Sequence, residues 1–536
     1  MGIPNILGCR SLGVLLAIAC LAQSAGAAED NHGAVPGVVI DYSPAASGKY
    51  IGCPSITILP DGSYVASHSF FGPGTTHDQT CVFGSSDRGK TWKKLSQIDG
   101  QFWSNLFVYR GALYIMGPNR QWGEVVIRRS DDGGHRWTTP KDKQSGLLLD
   151  DGRYHSSTVP MLIHKGRIWR AMEVEDQYPH RGRDVHPYAA LVMSAPLEAD
   201  LLKAENWTTT NYLRFDLARV GKKPPQRSGG WREGNVLATP DGRVVNLLRI
   251  DDAGVDRADI LPVSQDGKRI DFDDENWGLI DFPGGRTKFT VRFDPKTKRY
   301  WSLVNKQSDP PAVRNVLALT SSADLKHWKV ESIVLRHRDP KHHAFQYVDW
   351  VFDGDDIVAA SRTAYGNSHN FHDANYLTFH RIKDFRTRTM AQSPAWLGGS
   401  SRVEYENQCF TITGSGFRIK PLENDALAFG NRKYVWKDVP KALTRRMFTQ
   451  TDGGVAAEIT VVAKRDALLQ VATASKQKGT HMTGWTRLDG LEFHYTDANC
   501  TPMAVYQKRL TRGNRITVPQ TNWSGTLLLL EPPGHP

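Results

Sequence analysis

The chain is a succession of short apolar or alternating stretches separated by tight turns. Turn signals such as Pro60-Asp61-Gly62, Lys165-Gly166 and Asp353-Gly354 lie between stretches rich in Val, Ile, Tyr and Phe. Strands place successive side chains on opposite faces, and turns containing Gly or Asp join antiparallel neighbours. The pattern therefore predicts an all-β protein built of consecutive hairpins.

The predicted strands form about six consecutive sets up to residue 385. They lie at 56–59 and 64–71; 102–117 and 125–137; 158–164, 167–174 and 189–194; 234–238, 244–250 and 260–264; 289–293, 300–305 and 316–320; and 347–352, 357–364 and 375–381. We expect a strand at 37–42 to complete the last set and close a ring. A segment past Phe385 would supply a seventh set if it formed strands. Over 390–536 the repeats stop, and shorter alternating strands predict a β-sandwich that either binds sugar or buttresses the rest.

One motif recurs at hairpin positions. Ser85-Ser86-Asp87-Arg88-Gly89-Lys90-Thr91-Trp92 returns as Ser130-Asp131-Asp132-Gly133-Gly134-His135-Arg136-Trp137, and more weakly as Ser322-Ala323-Asp324-Leu325-Lys326-His327-Trp328. The Ser and Asp side chains suit a tight turn, Gly supplies a positive φ, and Trp can pack beneath the turn. A repeat of about 40–50 residues is typical of β-propellers, in which each repeat is one blade.

These motifs resemble the Asp-boxes, or bacterial neuraminidase repeats, of the sialidase-like β-propellers. The resemblance implies a propeller of six or seven blades over 37–385, followed by the sandwich. Sialidases carry an arginine in an Arg-Ile-Pro motif on the first blade, and no such motif stands in this chain. Hydrolysis of sialic acid is therefore not what the resemblance favours.

Composition adds a preference for an anionic partner. The chain has 536 residues, a formal net charge of +11 and a pI near 9.2. The basic residues are scattered and no nucleic-acid motif accompanies them, so an acidic oligo- or polysaccharide is favoured over nucleic acid. A basic surface with no specific partner is the alternative.

The N-terminus has the features of a secretory signal peptide. Arg10 precedes an apolar run at 12–21, and small residues near Ala27 and Ala28 offer a cleavage site. We therefore expect residues 1–28 to be removed and the protein to be secreted or periplasmic. No later stretch is long and apolar enough to predict a membrane span.

Four cysteines follow the signal peptide, namely Cys53, Cys81, Cys409 and Cys500. In an exported protein an even number permits disulfides, and the simplest division pairs Cys53 with Cys81 and Cys409 with Cys500. Four buried thiols are the alternative. Their spacing predicts no metal site, and no cofactor fingerprint is present. A structural calcium ion is compatible with such propellers, but the sequence identifies no ligand set.

Polar residues recur where the predicted strands should line a central funnel. The candidates for binding are Arg170, Arg232, Asn235, Asn305, Arg362 and His372, and those for catalysis are His68, His77 and Tyr365. Guanidinium groups bind carboxylates and stabilise the charge that develops when the adjacent carbon loses a proton. The set therefore predicts a uronate site. Structural ion pairs, for instance Arg170 with Glu173 or Arg232 with Glu233, are the alternative.

The order of these residues is similar to that in propeller-fold lyases that act on uronic acids. The most similar are the L-rhamnose-α-1,4-D-glucuronate lyases and, more distantly, the ulvan lyases. The resemblance implies β-elimination, with His68 or His77 as the base. It implies that Arg170, Arg232, Asn305 and Arg362 hold the carboxylate. Tyr365, His369 and His372 are candidates for the group that protonates the leaving oxygen.

Two other functions stay open from the sequence. The carboxylates Glu173, Glu233 and Asp349 allow a glycoside hydrolase, either sialidase-like or rhamnosidase-like, because a pair of them can flank a glycosidic bond. Asp-box folds also serve as non-catalytic glycan-binding proteins. The three functions share a glycan ligand and differ in what happens to it.

Overall fold

The computed structural model describes residues 32–175, 188–221, 230–251, 256–306, 313–398, 403–454, 457–480 and 482–532. Within these ranges the chain is all-β, and its only helices are 3-10 turns at His32–Ala34, Ala45–Ser47, Ala204–Asn206, Leu217–Val220, Phe385–Thr387 and Met390–Gln392. None of these helices has the length and apolar character that crossing a membrane requires. The predicted signal peptide lies outside the described residues.

Strands β1 (Val38–Tyr42) and β2 (Tyr50–Ile51) precede a series of four-stranded units. Unit 1 comprises β3 (Ser55–Ile58), β4 (Tyr64–Phe71), β5 (Gln79–Ser85) and β6 (Lys93–Asp99). Unit 2 comprises β7 (Asn105–Tyr109), β8 (Ala112–Pro118), β9 (Val125–Ser130) and β10 (Leu147–Leu149). After β11 (Tyr154–His155), unit 3 comprises β12 (Leu162–His164), β13 (Arg167–Glu175), β14 (Tyr188–Pro196) and β15 (Thr208–Thr209).

The later units repeat this order. Unit 4 comprises β16 (Trp231–Ala238), β17 (Val244–Ile250), β18 (Arg257–Val263) and β19 (Gly278–Asp281). Unit 5 comprises β20 (Thr290–Asp294), β21 (Arg299–Asn305), β22 (Val316–Ser322) and β23 (Lys329–Arg336). Unit 6 comprises β24 (Ala344–Asp353), β25 (Asp356–Ala364) and β26 (Tyr376–Ile382), and β1 supplies its fourth strand.

The units follow one another in a cyclic order. The first strand of unit 1, β3, contacts the first strands of units 2 and 6, and β16 contacts those of units 3 and 5. Strand β1 pairs with β26 in antiparallel register, for example Val38 with Phe379, which confirms the ring closure expected from the sequence. Ile40 and Ile56 share an apolar cluster with Leu377, so a core also joins units 1 and 6. This cyclic arrangement of antiparallel sheets is typical of a β-propeller.

The remaining strands form two further sheets. They are β27 (Val403–Glu406), β28 (Phe410–Ser415), β29 (Phe417–Pro421), β30 (Trp436–Lys437), β31 (Met447–Thr451), β32 (Glu458–Ala463), β33 (Ala467–Ala474), β34 (Thr486–Tyr495), β35 (Pro502–Leu510), β36 (Arg515–Thr517) and β37 (Thr526–Leu530). One sheet has the order β27-β28-β32-β36 and the other β29-β31-β37-β33-β35-β34-β30. Ile412 and Ile459 of the first sheet share a buried cluster with Leu528 of the second. The described residues between 385 and 398 form no strand, so they add no seventh unit.

The repeated motif forms the turns predicted for it. In the first copy, Ser85 Oγ accepts a hydrogen bond from the Gly89 N–H at 2.9 Å, and Asp87 accepts one from the Thr91 N–H at 2.9 Å. Trp92 Nε1 donates to the Gly89 carbonyl at 3.3 Å. In the weakest copy Leu325 takes the glycine position with a φ of 70°, a left-handed conformation that is costly for leucine. These turns lie between the third and fourth strands of units 1, 2 and 5.

The structure corrects the expected disulfides. All four cysteines are free thiols. Cys53 and Cys81 are both buried, but Cys53 lies against Ser157 of unit 3, whereas Cys81 packs in the core between units 1 and 6. Cys409 is partly buried and Cys500 is exposed, so the alternative of four buried thiols holds only for the first two.

The motif turn can be tested with two adjacent serines. Ser85 is buried and accepts the Gly89 N–H, whereas Ser86 is exposed. We expect Ser85→Ala to lower the free energy of unfolding by about 1–3 kcal/mol, because a buried donor loses its acceptor. The matched Ser86→Ala should change it by less than about 0.5 kcal/mol. Urea unfolding followed by tryptophan fluorescence measures both free energies. Equal values for the two variants would contradict a stabilising role for the Ser85 hydrogen bond.

Candidate functional site

Charged and aromatic residues from four units meet at one end of the ring. In each unit the first and second strands are antiparallel, so the second strand ends beside the start of the first. The loops that follow second strands and the segments that precede first strands therefore lie on the same face of the ring. On that face lies a group that we call the central cluster: His155, Tyr188, Arg232, Glu233, Arg249, Asp251, Arg314, Tyr347, Arg362 and His372. Its members interact across units; the electrostatic partners of Glu233, for instance, include His155 of the loop before unit 3 and Lys288 of the segment before unit 5. Such convergence places the cluster at the centre of the ring.

An ion-pair chain forms one side of the central cluster. Glu233 and Arg249 are both 3% exposed and lie 2.7 Å apart, and Arg249 also lies 3.4 Å from Asp251. Asp251 in turn lies 3.2 Å from Arg232. Burial raises the pKa of Glu233, but the attraction of Arg249, His155 and Arg232 outweighs it, so the pKa lies below its usual value. Two arginines thus balance two carboxylates on this side.

A pair of arginines on the other side has no carboxylate in direct contact among the described residues, although Glu233 and Asp251 attract Arg314, and Asp373 attracts Arg362, from further away. Arg314 and Arg362 lie over the Tyr347 ring, with guanidinium carbons 5.1 and 4.8 Å from its centroid. Arg314 donates to Gln346 Oε1 at 2.5 Å, and Arg362 donates to the His372 carbonyl. Among the described residues no carboxylate lies within ion-pair distance of either. Burial lowers the pKa of both, that of Arg362 to about 10, which leaves Arg362 charged at neutral pH.

A histidine and a tyrosine border the ion-pair chain. His155 Nδ1 lies 2.9 Å from Glu173, whose other oxygen accepts the Gly234 N–H at 2.9 Å. The imidazole stacks on the Tyr188 ring at 4.6 Å. Within the described part of the chain, His155 Nε2 has no hydrogen-bond partner. Burial raises the pKa of Tyr188, so its phenol stays protonated at neutral pH.

Beneath the central cluster lie buried cations bound to the backbone. Arg170 is fully buried and donates to Ser156 Oγ at 2.6 Å and to the Ser157 carbonyl at 2.7 Å. Lys288 donates to the Val348 carbonyl at 2.8 Å, and burial lowers its pKa to about 8. These groups hold the inner strands together from within.

The structure brings three of the sequence-predicted residues into the central cluster and places Arg170 below it. The three are Arg232, Arg362 and His372. His372 lies beside Arg362, and burial together with that charge lowers its pKa to about 4. The alternative ion pairs of Arg170 with Glu173 and of Arg232 with Glu233 are replaced by the contacts described above.

The two predicted asparagines bind backbone instead of facing the cluster. Asn235 accepts the Val291 N–H at 2.9 Å, which ties unit 4 to unit 5. Asn305 donates to the Phe345 carbonyl at 2.7 Å, which ties unit 5 to unit 6. Both side chains therefore act as links between neighbouring inner strands.

The predicted catalytic residues lie outside the central cluster. His68 is fully buried and lies 2.7 Å from Asp41 of β1, in the contact between units 1 and 6. His77 accepts the Gly72 N–H at 3.3 Å within its own loop, and burial lowers its pKa. Tyr365 packs against the His343 ring at 4.8 Å. The structure does not bring these three together.

The members of the central cluster that sequence analysis missed are His155, Tyr188, Arg249, Asp251, Arg314 and Tyr347. Arg249 and Asp251 form an Arg-x-Asp pair at the end of a predicted strand, a signal that was visible. Tyr347 was invisible as a site residue because it has a φ of 53° and lies in a bulge of β24. Among the described residues no three His, Cys, Asp or Glu side chains come together as a metal site.

No family model and no curated protein sequence matches this chain. Solved structures do match. A Penicillium chrysogenum α-L-arabinanase is 14% identical, with 66% of this chain and 99% of that chain covered, at a TM-score of 0.44. A polysaccharide lyase of family PL25, an ulvan lyase, is 13% identical, covering 62% and 78%, at 0.38. A Trypanosoma rangeli sialidase is 12% identical, covering 91% and 88%, at 0.43. A sialidase and an ulvan lyase, both classes that the sequence resembles, are thus among the matches, but similarity this low indicates no substrate or reaction for this chain.

The buried ion pair gives a prediction about stability. We expect Arg249→Met to lower the free energy of unfolding by about 3–5 kcal/mol, because Glu233 is left as an unpaired buried charge. Adding Glu233→Gln should recover part of the loss. Arg243→Met is the control, since Arg243 pairs with Asp241 at the surface and should cost less than about 1 kcal/mol. Thermal unfolding compares the variants, and a double variant no more stable than Arg249→Met would contradict the pairing.

Proposed function

We propose that the protein is a secreted carbohydrate-active enzyme that cleaves acidic glycans next to a uronic acid by β-elimination. We further propose that units 1 to 6 are the blades of a six-bladed sialidase-like propeller and that the two C-terminal sheets form a β-sandwich. The active site would be the central cluster.

The observation that carries this proposal is the arginine pair that has no carboxylate in direct contact. Arg314 and Arg362 converge on one tyrosine ring and have no carboxylate partner among the described residues. A guanidinium group binds a carboxylate through two parallel hydrogen bonds, and a desolvated pair does so strongly. A uronate carboxylate would supply the direct ion pair that neither arginine has among the described residues.

The residues for elimination lie in the same central cluster, beside the ion-pair chain, where Arg232 lies over the Tyr188 ring. In the proposed step His155 Nε2 removes the proton from C5 of the uronate, and the electron pair forms the C4–C5 double bond. The C4–O bond breaks, and the Tyr188 hydroxyl gives its proton to the leaving oxygen. Glu173 fixes the imidazole through Nδ1, and the arginines stabilise the enolate-like intermediate. Solvent then returns the proton from His155 to Tyr188.

Hydrolysis is the runner-up, and the carboxylates support it less well. A glycosidase needs one carboxylic acid that is protonated and one that is free. Glu233 is bound by Arg249 and has a lowered pKa, and Glu173 is held by His155 and the Gly234 N–H. Asp349 accepts the Ser55 hydroxyl at 2.8 Å and the Ile56 N–H at 3.1 Å. Each of the three is occupied by structural contacts.

The reaction can be identified from its products. We expect incubation with a rhamnose–glucuronate glycan or with ulvan to release an unsaturated uronate, detected by its ultraviolet absorbance, and sialyl-lactose to remain intact. His155→Gln should lower kcat by about 100-fold or more, because the amide cannot accept the proton. Reducing ends without the absorbance would favour hydrolysis, and binding without turnover would favour a glycan-binding protein.

The role of the arginine pair can be tested on the substrate. Methyl esterification of the uronate removes the charge, so wild-type kcat/KM should fall by about 100-fold on the ester. Arg314→Gln should lose a similar factor on the free acid and little on the ester. Arg129→Gln is the control, because Arg129 pairs with Asp131 at a motif turn away from the cluster. Equal losses on acid and ester would contradict the carboxylate contact.

A further inference from the structure

A cleft of about 730 Å³ lies between unit 6 and the C-terminal sheets. Lys341 and Phe371 line its propeller side, and Arg418, Arg432 and Trp523 line its C-terminal side. The volume is in the range of ligand sites in proteins, and the lining combines aromatic rings with cations. The central cluster does not include any of these residues.

The cleft nevertheless begins next to the arginine pair. Val313, which lines the cleft, directly precedes Arg314, and Phe371 directly precedes His372. Gln346 connects the arginine pair to the wall of the cleft. Its side-chain oxygen accepts a hydrogen bond from Arg314, and its amide donates one to the Phe371 carbonyl. A glycan whose uronate is bound at the arginine pair would therefore reach the cleft within a short distance.

The cleft carries an excess of positive charge. Arg418 lies 3.6 Å from Asp452, and Asp339 accepts hydrogen bonds from two histidines of its own turn. Within the described residues, neither Lys341 nor Arg432 lies within ion-pair distance of a carboxylate. Both acids on the wall are thus engaged, whereas two cations remain for a ligand.

Trp523 forms a fixed aromatic wall of this cleft. Gly453 and Gly454 lie so close to the indole that a Cβ added to them would be 2.7 and 2.9 Å from its atoms, so the ring packs directly on backbone. The Phe429 ring meets it edge-on at 5.3 Å. Arg432 lies over the indole, 5.7 Å from a ring centroid. A half-buried, immobilised indole beside a cation suits the apolar face of a sugar that carries an anionic group.

We propose that the cleft is an extended subsite, in which Trp523 supports the sugars that follow the bound uronate and Lys341 and Arg432 bind a second anionic group on the same chain. The ligand is therefore a polymeric or oligomeric anionic glycan, and the second group is a carboxylate or a sulfate ester. This inference rests on the proposed function for the position of the first uronate. It assigns the C-terminal sheets a direct part in substrate binding.

The test measures binding in the His155→Gln background, so that turnover does not interfere. Ulvan disaccharides and hexasaccharides, sulfated and chemically desulfated, are titrated by calorimetry. We expect the hexasaccharide to bind more tightly than the disaccharide, and Arg432→Ala or Lys341→Ala to reduce that gain by about tenfold, without weakening the disaccharide. Loss of the gain on desulfation identifies sulfate as the second group, and its persistence identifies a carboxylate.

Trp523→Ala should have the same effect, and the two exposed cations keep the test valid if this variant fails to fold. Arg509→Ala is the matched control, because Arg509 is exposed on β35 outside the cleft. An unchanged ratio of hexasaccharide to disaccharide affinity in the Arg432 and Lys341 variants would overturn the subsite, as would equal affinities for both lengths in the parent. Absence of an unsaturated product from the active enzyme, with the length dependence intact, would overturn the lyase proposal alone.

Discussion

Charge buried at the centre of a β-protein has to be stabilised, and the architecture of the central cluster follows from how this is achieved. Glu233 and Arg249 satisfy each other, and Lys288 and Arg170 bind backbone carbonyls. Arg362 is stabilised differently, by the rings of Phe71 and Tyr347 at 4.4 and 4.8 Å. A cation held by ring faces keeps its capacity to bind an anion, whereas one paired with a carboxylate has lost most of it. The distinction separates the structural charges from those available to a ligand.

The alternating strand direction divides the molecule into two faces with different tasks. The motif turns join third and fourth strands, so they lie on the face opposite the loops that follow second strands. Asp87 and Thr91 belong to the first face, and Asp251 and Arg314 to the second. Residues that stabilise the hairpins and residues that could bind substrate therefore do not compete for the same positions. The local motif therefore indicates the fold but gives no information about the chemistry of the site.

This division explains which features the sequence could predict. The motif turns and the closing strand were predictable because each depends on neighbouring residues or on one strand pairing, as in Ser85 with Asp87 or β1 with β26. The alternation of side chains along a strand predicts which residues share a face, but this prediction fails for residues beyond a bulge. Glu233 and Tyr347 both have positive φ and lie in bulges of first strands, which shift the side on which the following residues point.

A related reason explains why some candidate residues lie outside the central cluster. His68, Asn235 and Asn305 lie on strands next to another unit, and their partners belong to that unit or to the strand that closes the ring. A polar side chain on an inner strand can face the centre or the neighbouring sheet, and the composition of its own strand does not distinguish the two. Arg232 and Arg362 were found because β16 begins and β25 ends at the face that carries the central cluster.

A buried arginine joins the C-terminal sheets to the propeller. Arg338 follows the last strand of unit 5 and is 4% exposed. It donates a hydrogen bond to Ser415 Oγ of β28 at 2.6 Å. The neighbouring Gly416 has no Cβ, which would lie 2.5 Å from the Arg338 guanidinium, so only glycine permits this approach. Because Arg338 also lines the cleft, the same contact sets the distance between its two walls. A ligand site that is divided between two regions gains affinity when those regions are held in place before the ligand binds, and the Arg338 contact is one interaction that holds these two together.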